Sequence, residues 1–270
     1  MPELPEVENV RRSLLELVPL GARWRSARQF REDLRWPLPE GLSQSLEGQH
    51  LLQIRRRAKI LIFETDRYLL LNHLGMTGSW RRFEGEELKT HDHLFWQFDH
   101  DVTLVFNDPR RFGYLKLFEK QQAEELFKDL GPEPLSAELD GEYLFRASRG
   151  RAMPMKSFLL NQKIVAGLGN IYVSEALFRA GVRPRRWART LKRREADLLA
   201  EQIKILLNLA ITRGGSTIRD YRQANGQKGG FQDLFQVYDR EGKPCRACGA
   251  PIAAEFLSGR STYWCRQCQE

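Results

Sequence analysis

All four cysteines of the 270-residue chain fall in two pairs, Cys245-Arg-Ala-Cys248 and Cys265-Arg-Gln-Cys268. Two tight turns, each offering two thiolates, make the donor set for one tetrahedral Zn²⁺. Four protein ligands leave no open position, so such an ion is structural. Disulfides are the competing use, and the acidic opening Met-Pro-Glu-Leu-Pro-Glu, unlike a basic secretory or transit signal, argues against export. Between the pairs, Leu257-Ser-Gly-Arg-Ser-Thr262 reads as a hairpin turn joining strands Ile252–Phe256 and Tyr263–Cys265. Its tip presents Arg260, either solvated or held rigidly against a phosphate.

The second candidate chemistry lies at the other end. Removal of the initiator methionine from a Met-Pro start leaves the secondary amine of Pro2 as the terminus, and a free α-amine titrates near 8, well below lysine. A secondary amine that adds to an aldehydic sugar carbon, with loss of the carbon's oxygen as water, can only become a charged iminium, which acidifies the neighbouring carbon. Glu3 and Glu6, one turn apart, are a candidate proton donor and orienting charge. The plainer reading of two prolines and acidic residues here is ordinary helix capping.

Further along, Arg55-Arg-Arg-Ala-Lys59 precedes an apolar run, and strand alternation predicts Arg55, Arg57 and Lys59 on one face, as a phosphate-facing strand requires. Two turns, His73-Leu-Gly-Met-Thr-Gly78 and Asn107-Asp-Pro-Arg-Arg-Phe-Gly113, carry mixed apolar and cationic tips. Met76 and Phe112 are either packed loop anchors or wedges for a base stack, with Arg110 filling the hole left by an extruded base. Finally, Ala166-Gly-Leu-Gly-Asn-Ile-Tyr172 feeds a helix, with Asn170 as cap and anion ligand and Lys156 and Lys163 upstream.

These groups need elements to hold them. Val7, Val10, Leu14 and Leu17 space out one face of a helix over residues 2–18. From about 20 to 118, short runs such as Ile60–Phe63, Tyr68–Leu71, Leu94–Phe98 and Val102–Phe106 predict antiparallel strands, with turns at 64–67 and 99–101. A short helix is expected over 121–130 and a linker at Gly131-Pro-Glu-Pro-Leu-Ser136. Residues 141–213 then read as helical, ending in a long amphipathic segment, Leu191–Thr212. The fold class is α+β: a β-sandwich over 1–130, a linker over 131–150, a helical domain over 151–235 and a zinc-finger hairpin over 236–270.

Composition narrows the partner. The chain carries 43 Lys and Arg against 35 Asp and Glu. The charge is uneven: residues 151–270 hold 21 cations against 10 acids, net +11, and residues 1–150 hold 22 against 25, net −3. A basic half of this kind suits nucleic acid. No apolar run approaches the roughly 18–20 residues of a membrane span, and no lipidated or amphipathic anchor is visible, so no membrane partner is expected.

In order along the chain, Pro-Glu-Leu-Pro-Glu-Val-Glu, Arg56-Arg-Ala-Lys59, His73 to Gly78, Asp108 to Gly113, Gly167-Leu-Gly-Asn-Ile-Tyr172 and the cysteine hairpin resemble the bacterial formamidopyrimidine-DNA glycosylases. The resemblance spans the whole chain. It implies a β-sandwich, a helix-two-turn-helix domain and a zinc finger, with DNA in a cleft between the halves. It also implies base excision repair by a bifunctional glycosylase and AP lyase: Pro2 attacks C1′, Glu3 is the proton donor, Lys59 serves β-elimination and Arg260 serves δ-elimination. His91, Arg110, Arg151 and Asn170 match the family's DNA- and phosphate-binding positions, and Met76, Arg110 and Phe112 its helix-filling residues. The implied partner is duplex DNA containing oxidised bases, bound by a monomer in the bacterial cytosol and nucleoid.

The opening Glu3-Leu4-Pro5 resembles the oxidised-purine branch, since the endonuclease VIII branch has Gly in place of Leu4. The segment Gly214–Tyr221 through Phe231 resembles the loop that caps a flipped 8-oxoguanine. Gly230 and Lys228 depart from the aromatic residue and proline common there, and Arg151 stands where lysine is frequent. The alternatives are an oxidised-pyrimidine glycosylase and a zinc-dependent DNA-damage binder without catalysis.

Overall fold

The computed structural model describes residues 2–122, 125–217 and 221–270. The chain forms two compact units, residues 1–128 with 213–230, and residues 129–212 with 231–270.

The first unit begins with helix α1 (Leu4–Leu17), whose Val7, Val10 and Leu14 are buried as their spacing requires. Eight strands follow: β1 (Trp24–Gln29), then, after the short helix α2 (Leu42–Leu46), β2 (Gln53–Arg57), β3 (Ile60–Glu64), β4 (Tyr68–His73), β5 (Ser79–Arg82), β6 (Asp92–Phe98), β7 (Thr103–Asn107) and β8 (Tyr114–Glu119). They make two antiparallel four-stranded sheets, ordered β1-β6-β7-β5 and β2-β3-β4-β8. The sheets share one core. Phe63 of β3 meets Trp80 of β5 and Trp96 of β6 edge-on, with ring centroids 5.6 and 5.2 Å apart. Such pairs favour edge-to-face geometry, because each ring's positive edge meets a negative face. The α1 stripe packs into the same cluster, which fixes the chain terminus to the sandwich.

The second unit contains α3 (Gly141–Ser148), α4 (Met155–Leu160), α5 (Asn170–Arg179), α6 (Arg193–Thr212) and the hairpin β9 (Ile252–Leu257) and β10 (Arg260–Cys265). Residues 131–150 are part of this unit rather than a linker. Asp140 caps α3 by accepting from the Tyr143 amide at 2.7 Å, and the Tyr143 hydroxyl donates to the Ile164 carbonyl at 2.8 Å. Among the described residues of 121–130, where a helix is expected, Lys120–Gln122 and Glu125–Phe127 form 3₁₀ turns.

One buried carboxylate ties the hairpin's approach segment to the helices. Glu175 of α5 accepts the backbone amides of Gln236, Val237 and Tyr238 at 2.9–3.0 Å. Burial raises its pKa, and those amides and the Arg179 charge oppose the rise.

Residues 213–230 belong to the first unit, although they follow α6 in sequence and their position predicts the helical domain. Their attachment is polar. Glu6 Oε1 accepts from the Ser216 amide and hydroxyl at 2.7 and 2.9 Å, and the Tyr221 hydroxyl donates to the Glu6 carbonyl at 3.1 Å. Burial, and then the Glu6 charge, push the Tyr221 phenol well above its ordinary pKa, so it stays protonated as a donor.

Candidate active site and nucleic-acid interface

Pro2 is buried immediately before α1, and Glu3 is the N-cap. A capping box holds the pair: the Glu3 side chain accepts from the Glu6 amide, and the Glu3 amide donates to Glu6 Oε2 at 2.9 Å. Both carboxylates are almost fully buried. Glu6 therefore receives Glu3 with one oxygen and Ser216 with the other, so its role here is to tie the 213–230 segment to the terminus beside Pro2. Sequence reasoning missed Ser216 and Tyr221 as its partners, because nothing local signals contacts 210 residues away in the chain.

Lys59 is not on a strand face. A two-residue turn, Ala58-Lys59, joins β2 to β3, with Ala58 at φ 53° in the left-handed region. Lys59 is buried at that turn. The expected row of three cations dissolves as well, since Arg55 pairs with Glu64 at 3.0 Å. Arg56, the intervening residue, is nearly buried and reaches Glu8 at 3.2 Å. Glu8 also takes Arg11 at 2.7 Å and Arg12 at 2.9 Å. Burial alone would raise its pKa, but the Arg11 and Arg12 hydrogen bonds and the Arg56 charge pull it down to about 2.

His73 ends β4 opposite Ile60, the residue after Lys59. Its Nδ1 accepts the Gly75 amide at 2.9 Å, which fixes a neutral tautomer, and its ring stacks on Tyr114 at 5.3 Å. Burial, followed by the charges of Lys59 and Arg35, lowers its pKa to about 4. An unfolded histidine titrates near 6.5, so between the two values the unfolded chain binds the extra proton. Stability is expected to fall by about 3 kcal/mol as pH drops from 6.5 to 4. A second loss comes from Glu8 between about 4.5 and 2. Urea unfolding across this range checks it: His73→Gln should flatten the upper step only.

The two mixed turns are built as one object. Buried Asp108 accepts from the Thr77 hydroxyl at 2.5 Å and from the Gly113 amide at 2.8 Å, and the Arg110 amide donates to Thr77 Oγ1 at 3.2 Å. His91, exposed in the turn before β6, accepts the Asp108 amide at its carbonyl at 3.0 Å. Gly75 sits at φ 62°, where a Cβ would lie 2.3 Å from the Gly113 nitrogen. At the shared tip, Met76 is 38% and Phe112 42% exposed, and the Arg110 guanidinium lies 4.7 Å from the Phe112 ring centroid. Both apolar side chains are thus only partly covered at this tip. Gly75→Ala is expected to cost about 1–3 kcal/mol in thermal unfolding, because backbone must move to admit the methyl group. An unchanged melting temperature would contradict the interlock.

In the second unit, Asn170 is the first residue of α5 rather than its cap, which is Gly169. Its Nδ2 donates to the Ser261 carbonyl at 3.0 Å. Lys156, fully buried, donates to the same carbonyl at 2.9 Å and to Thr262 Oγ1 at 2.6 Å. Lys156 thus clamps β10 instead of offering its charge at the surface, and the helices grip the strand that carries Arg260. The hairpin turn is tighter than expected: Ser258 and Gly259, both at positive φ, join β9 directly to exposed Arg260. Arg151 is exposed after α3, its Nε donating to the Ala147 carbonyl at 2.7 Å.

The four Sγ atoms of Cys245, Cys248, Cys265 and Cys268 lie within 4.8 Å of one another. Cys248 and Cys265 are 3.4 Å apart, far beyond a disulfide length of about 2.05 Å and near the edge of a tetrahedron of Zn–S bonds of about 2.3 Å. Their sulfur-only donor set fits one structural zinc ion. Residues 218–220 of the capping-loop motif lie outside the described residues, while Gly230 faces open space beyond the Arg213 carbonyl.

Comparison with known proteins matches three stretches of the chain to family models. Residues 1–115 match the formamidopyrimidine-DNA glycosylase N-terminal domain, 130–222 its H2TH domain, and 242–270 the zinc finger found in FPG and IleRS. The chain belongs to the formamidopyrimidine-DNA glycosylase family. It is 44% identical over 270 residues to the formamidopyrimidine-DNA glycosylase of Bdellovibrio bacteriovorus, with both chains fully covered. Among solved structures, a Lactococcus lactis FPG variant in complex with Fapy-dG-containing DNA superposes with TM-score 0.92 at 37% identity, covering all of both chains. The Thermus thermophilus MutM (FPG) structure superposes with TM-score 0.88 at 41% identity over 99% of this chain and 98% of that one. The chain thus combines the family's sandwich, helical region and zinc hairpin, and none of its described helices is long and apolar enough to cross a membrane.

Proposed function

We propose that this chain is a bifunctional DNA glycosylase and AP lyase of base excision repair that removes 8-oxoguanine and formamidopyrimidines from duplex DNA in the bacterial cytosol and nucleoid. The family carries the reaction class. The observation that supports assigning it to residues is the buried capping box, which fixes Glu3, the residue that follows Pro2, at the start of a helix packed on the sandwich.

In this reading the Pro2 nitrogen lone pair forms a bond to C1′ of the damaged nucleotide, and the C1′–N bond breaks as the base leaves with a proton. Glu3 donates a proton to the sugar ring oxygen, opening the ring to a cationic iminium. That cation acidifies C2′, whose proton is lost as the C3′–O bond breaks and the 3′ phosphate departs, and Lys59 attends this β-elimination. Arg260 grips the phosphate flanking the lesion through the second, δ-elimination, which breaks the C5′–O bond. A gap of one nucleotide bounded by phosphates results. Met76, Arg110 and Phe112 fill the vacated stack, and His91, Arg151 and Asn170 hold the backbone. We assign catalysis to residues 1–130 together with the 213–230 segment tied to them, backbone gripping to the helices of 131–212, and the zinc finger to 236–270. Zinc, when bound by the four cysteines, supplies folding free energy to the hairpin that bears Arg260 and no reaction step.

The test is excision from matched duplexes holding 8-oxoguanine opposite cytosine or thymine glycol. Faster release of 8-oxoguanine is expected, and a strong thymine glycol preference would move the chain to the oxidised-pyrimidine branch.

A further inference from the structure

Residues 183–194, Arg-Pro-Arg-Arg-Trp-Ala-Arg-Thr-Leu-Lys-Arg-Arg, hold seven cations and no acid. The structure divides these cations into two sets. Four are committed: Arg183 lies over the Trp264 ring at 4.4 Å, Arg185 pairs with Glu255 at 2.6 Å, Arg186 with Glu195 at 2.6 Å, and Arg193 with Asp197 and Glu142. Arg185, Arg186 and Arg193 use the neighbouring carboxylates. Arg189, Lys192 and Arg194 are exposed and make no ion pair among the described residues.

The segment is not a free loop. It runs antiparallel to the stretch that begins at Arg151: the Arg189 amide donates to the Arg151 carbonyl at 3.2 Å, the Ala188 amide to Met153 at 2.9 Å, and the Met155 amide to Arg186 at 2.7 Å. Trp187 bridges to Pro154 through the backbone while its side chain stays open, at 48% exposure, with the Arg189 guanidinium 5.6 Å from its ring. Backbone hydrogen bonds therefore hold the residues that carry a solvent-facing indole and a guanidinium without an ion pair beside the backbone of Arg151. Arginine and tryptophan are the residues most concentrated at binding hot spots, and unpaired cations side by side repel one another until a polyanion lies across them.

We propose that Trp187, Arg189, Lys192 and Arg194 form an accessory contact to the phosphate backbone of duplex DNA, extending the Arg151 position. The contact reads charge rather than bases, and the indole covers sugar and the stem of Arg189. It rests on the reading of this chain as a DNA glycosylase, and lengthens the duplex that the enzyme grips without touching the reacting nucleotide.

The experiment measures fluorescence anisotropy of the zinc-replete full chain on abasic-site duplexes of one and of three helical turns, over a salt series, with single-turnover excision of 8-oxoguanine alongside. For the intact protein, neutralising six or so phosphates gives a log–log salt slope of about −5. Trp187→Ala with Arg189→Ser and Arg194→Ser should weaken binding to the long duplex about tenfold, reduce the slope to about −3.5, and leave the short duplex and the saturating excision rate unchanged. Arg189→Glu alone, at an exposed site, should move the same readouts in the same direction if the triple variant melts early. Unchanged affinity and slope on the long duplex, with the parent protein binding and cleaving normally, would overturn the proposal. So would a loss of affinity for single-stranded RNA without one for duplex DNA. A parent protein that neither discriminates lesions nor cleaves would instead fail the underlying reading of function.

Discussion

Replacing Pro2 by glycine is expected to slow scission at a preformed abasic site by about 10²-fold or more, with affinity for the same duplex little changed. A glycine terminus offers a primary amine whose adduct is an imine that must still be protonated, whereas proline can only give the cationic iminium. Glycine also loosens the residue that precedes the Glu3 cap, and misplacement of a nucleophile by an ångström carries penalties of that size. Chains that keep Met1 should be inactive in the same assay, because the nitrogen is then an amide. An unchanged scission rate in the glycine variant would remove Pro2 from the mechanism.

The second large effect concerns the hairpin. Cys265 is fully buried in a cluster of only four buried residues, Val237, Cys245, Ile252 and Cys265, too small to hold two strands in water. Zinc binding in comparable fingers is worth about 10–16 kcal/mol of apparent folding free energy. Cys265→Ser is therefore expected to abolish zinc retention, to release β9 and β10, and to lower DNA affinity by about 10²-fold or more through loss of the Arg260 placement. The sandwich has its own core and should keep its near-ultraviolet signal from Trp24, Trp80 and Trp96. Elemental analysis and anisotropy check both halves; full affinity in a zinc-free variant would refute the claim that the metal positions Arg260.

What the residues reveal depends on the range of the forces involved. The cysteine spacing, the α1 stripe and the strands at 60–64, 68–73 and 103–107 follow from local periodicity and turn chemistry, and the structure reproduces them with boundaries moved by a residue or two. Lys59 escapes because a strict period of two does not hold as far as its position: Ala58 turns left-handed and ends the strand. Asn170 looks like a cap from its residue type, yet Gly169 has the extended backbone of the cap and Asn170 is drawn to β10. The arginine row of 55–57 hides its long-range partners, Glu64 and Glu8, which only pairing of β2 with β3 and packing of α1 bring near. Glu175, Lys156 and the tie from Glu6 to Ser216 have no sequence signal at all, since each satisfies backbone or hydroxyl groups distant in the chain.

These long-range ties organise the site. Glu6 serves Glu3 on one side and Ser216 on the other, so helix α1 and the 213–230 segment share one carboxylate. Asp108 similarly serves both turns that present Met76, Arg110 and Phe112, and Lys156 with Asn170 holds the strand of Arg260. Glu6, Asp108 and Lys156 are buried polar groups whose removal leaves their partners unsatisfied, a cost of about 1–3 kcal/mol each.

Whether Pro2 is the nucleophile is decided by the intact mass of the zinc-replete protein, with Met1 shown to be absent, after incubation with an 8-oxoguanine duplex and borohydride. A covalent protein–DNA adduct is expected, with a peptide map that places the sugar remnant on the Pro2 nitrogen. An adduct on a lysine, or none on a processed protein that binds the duplex, would contradict that assignment.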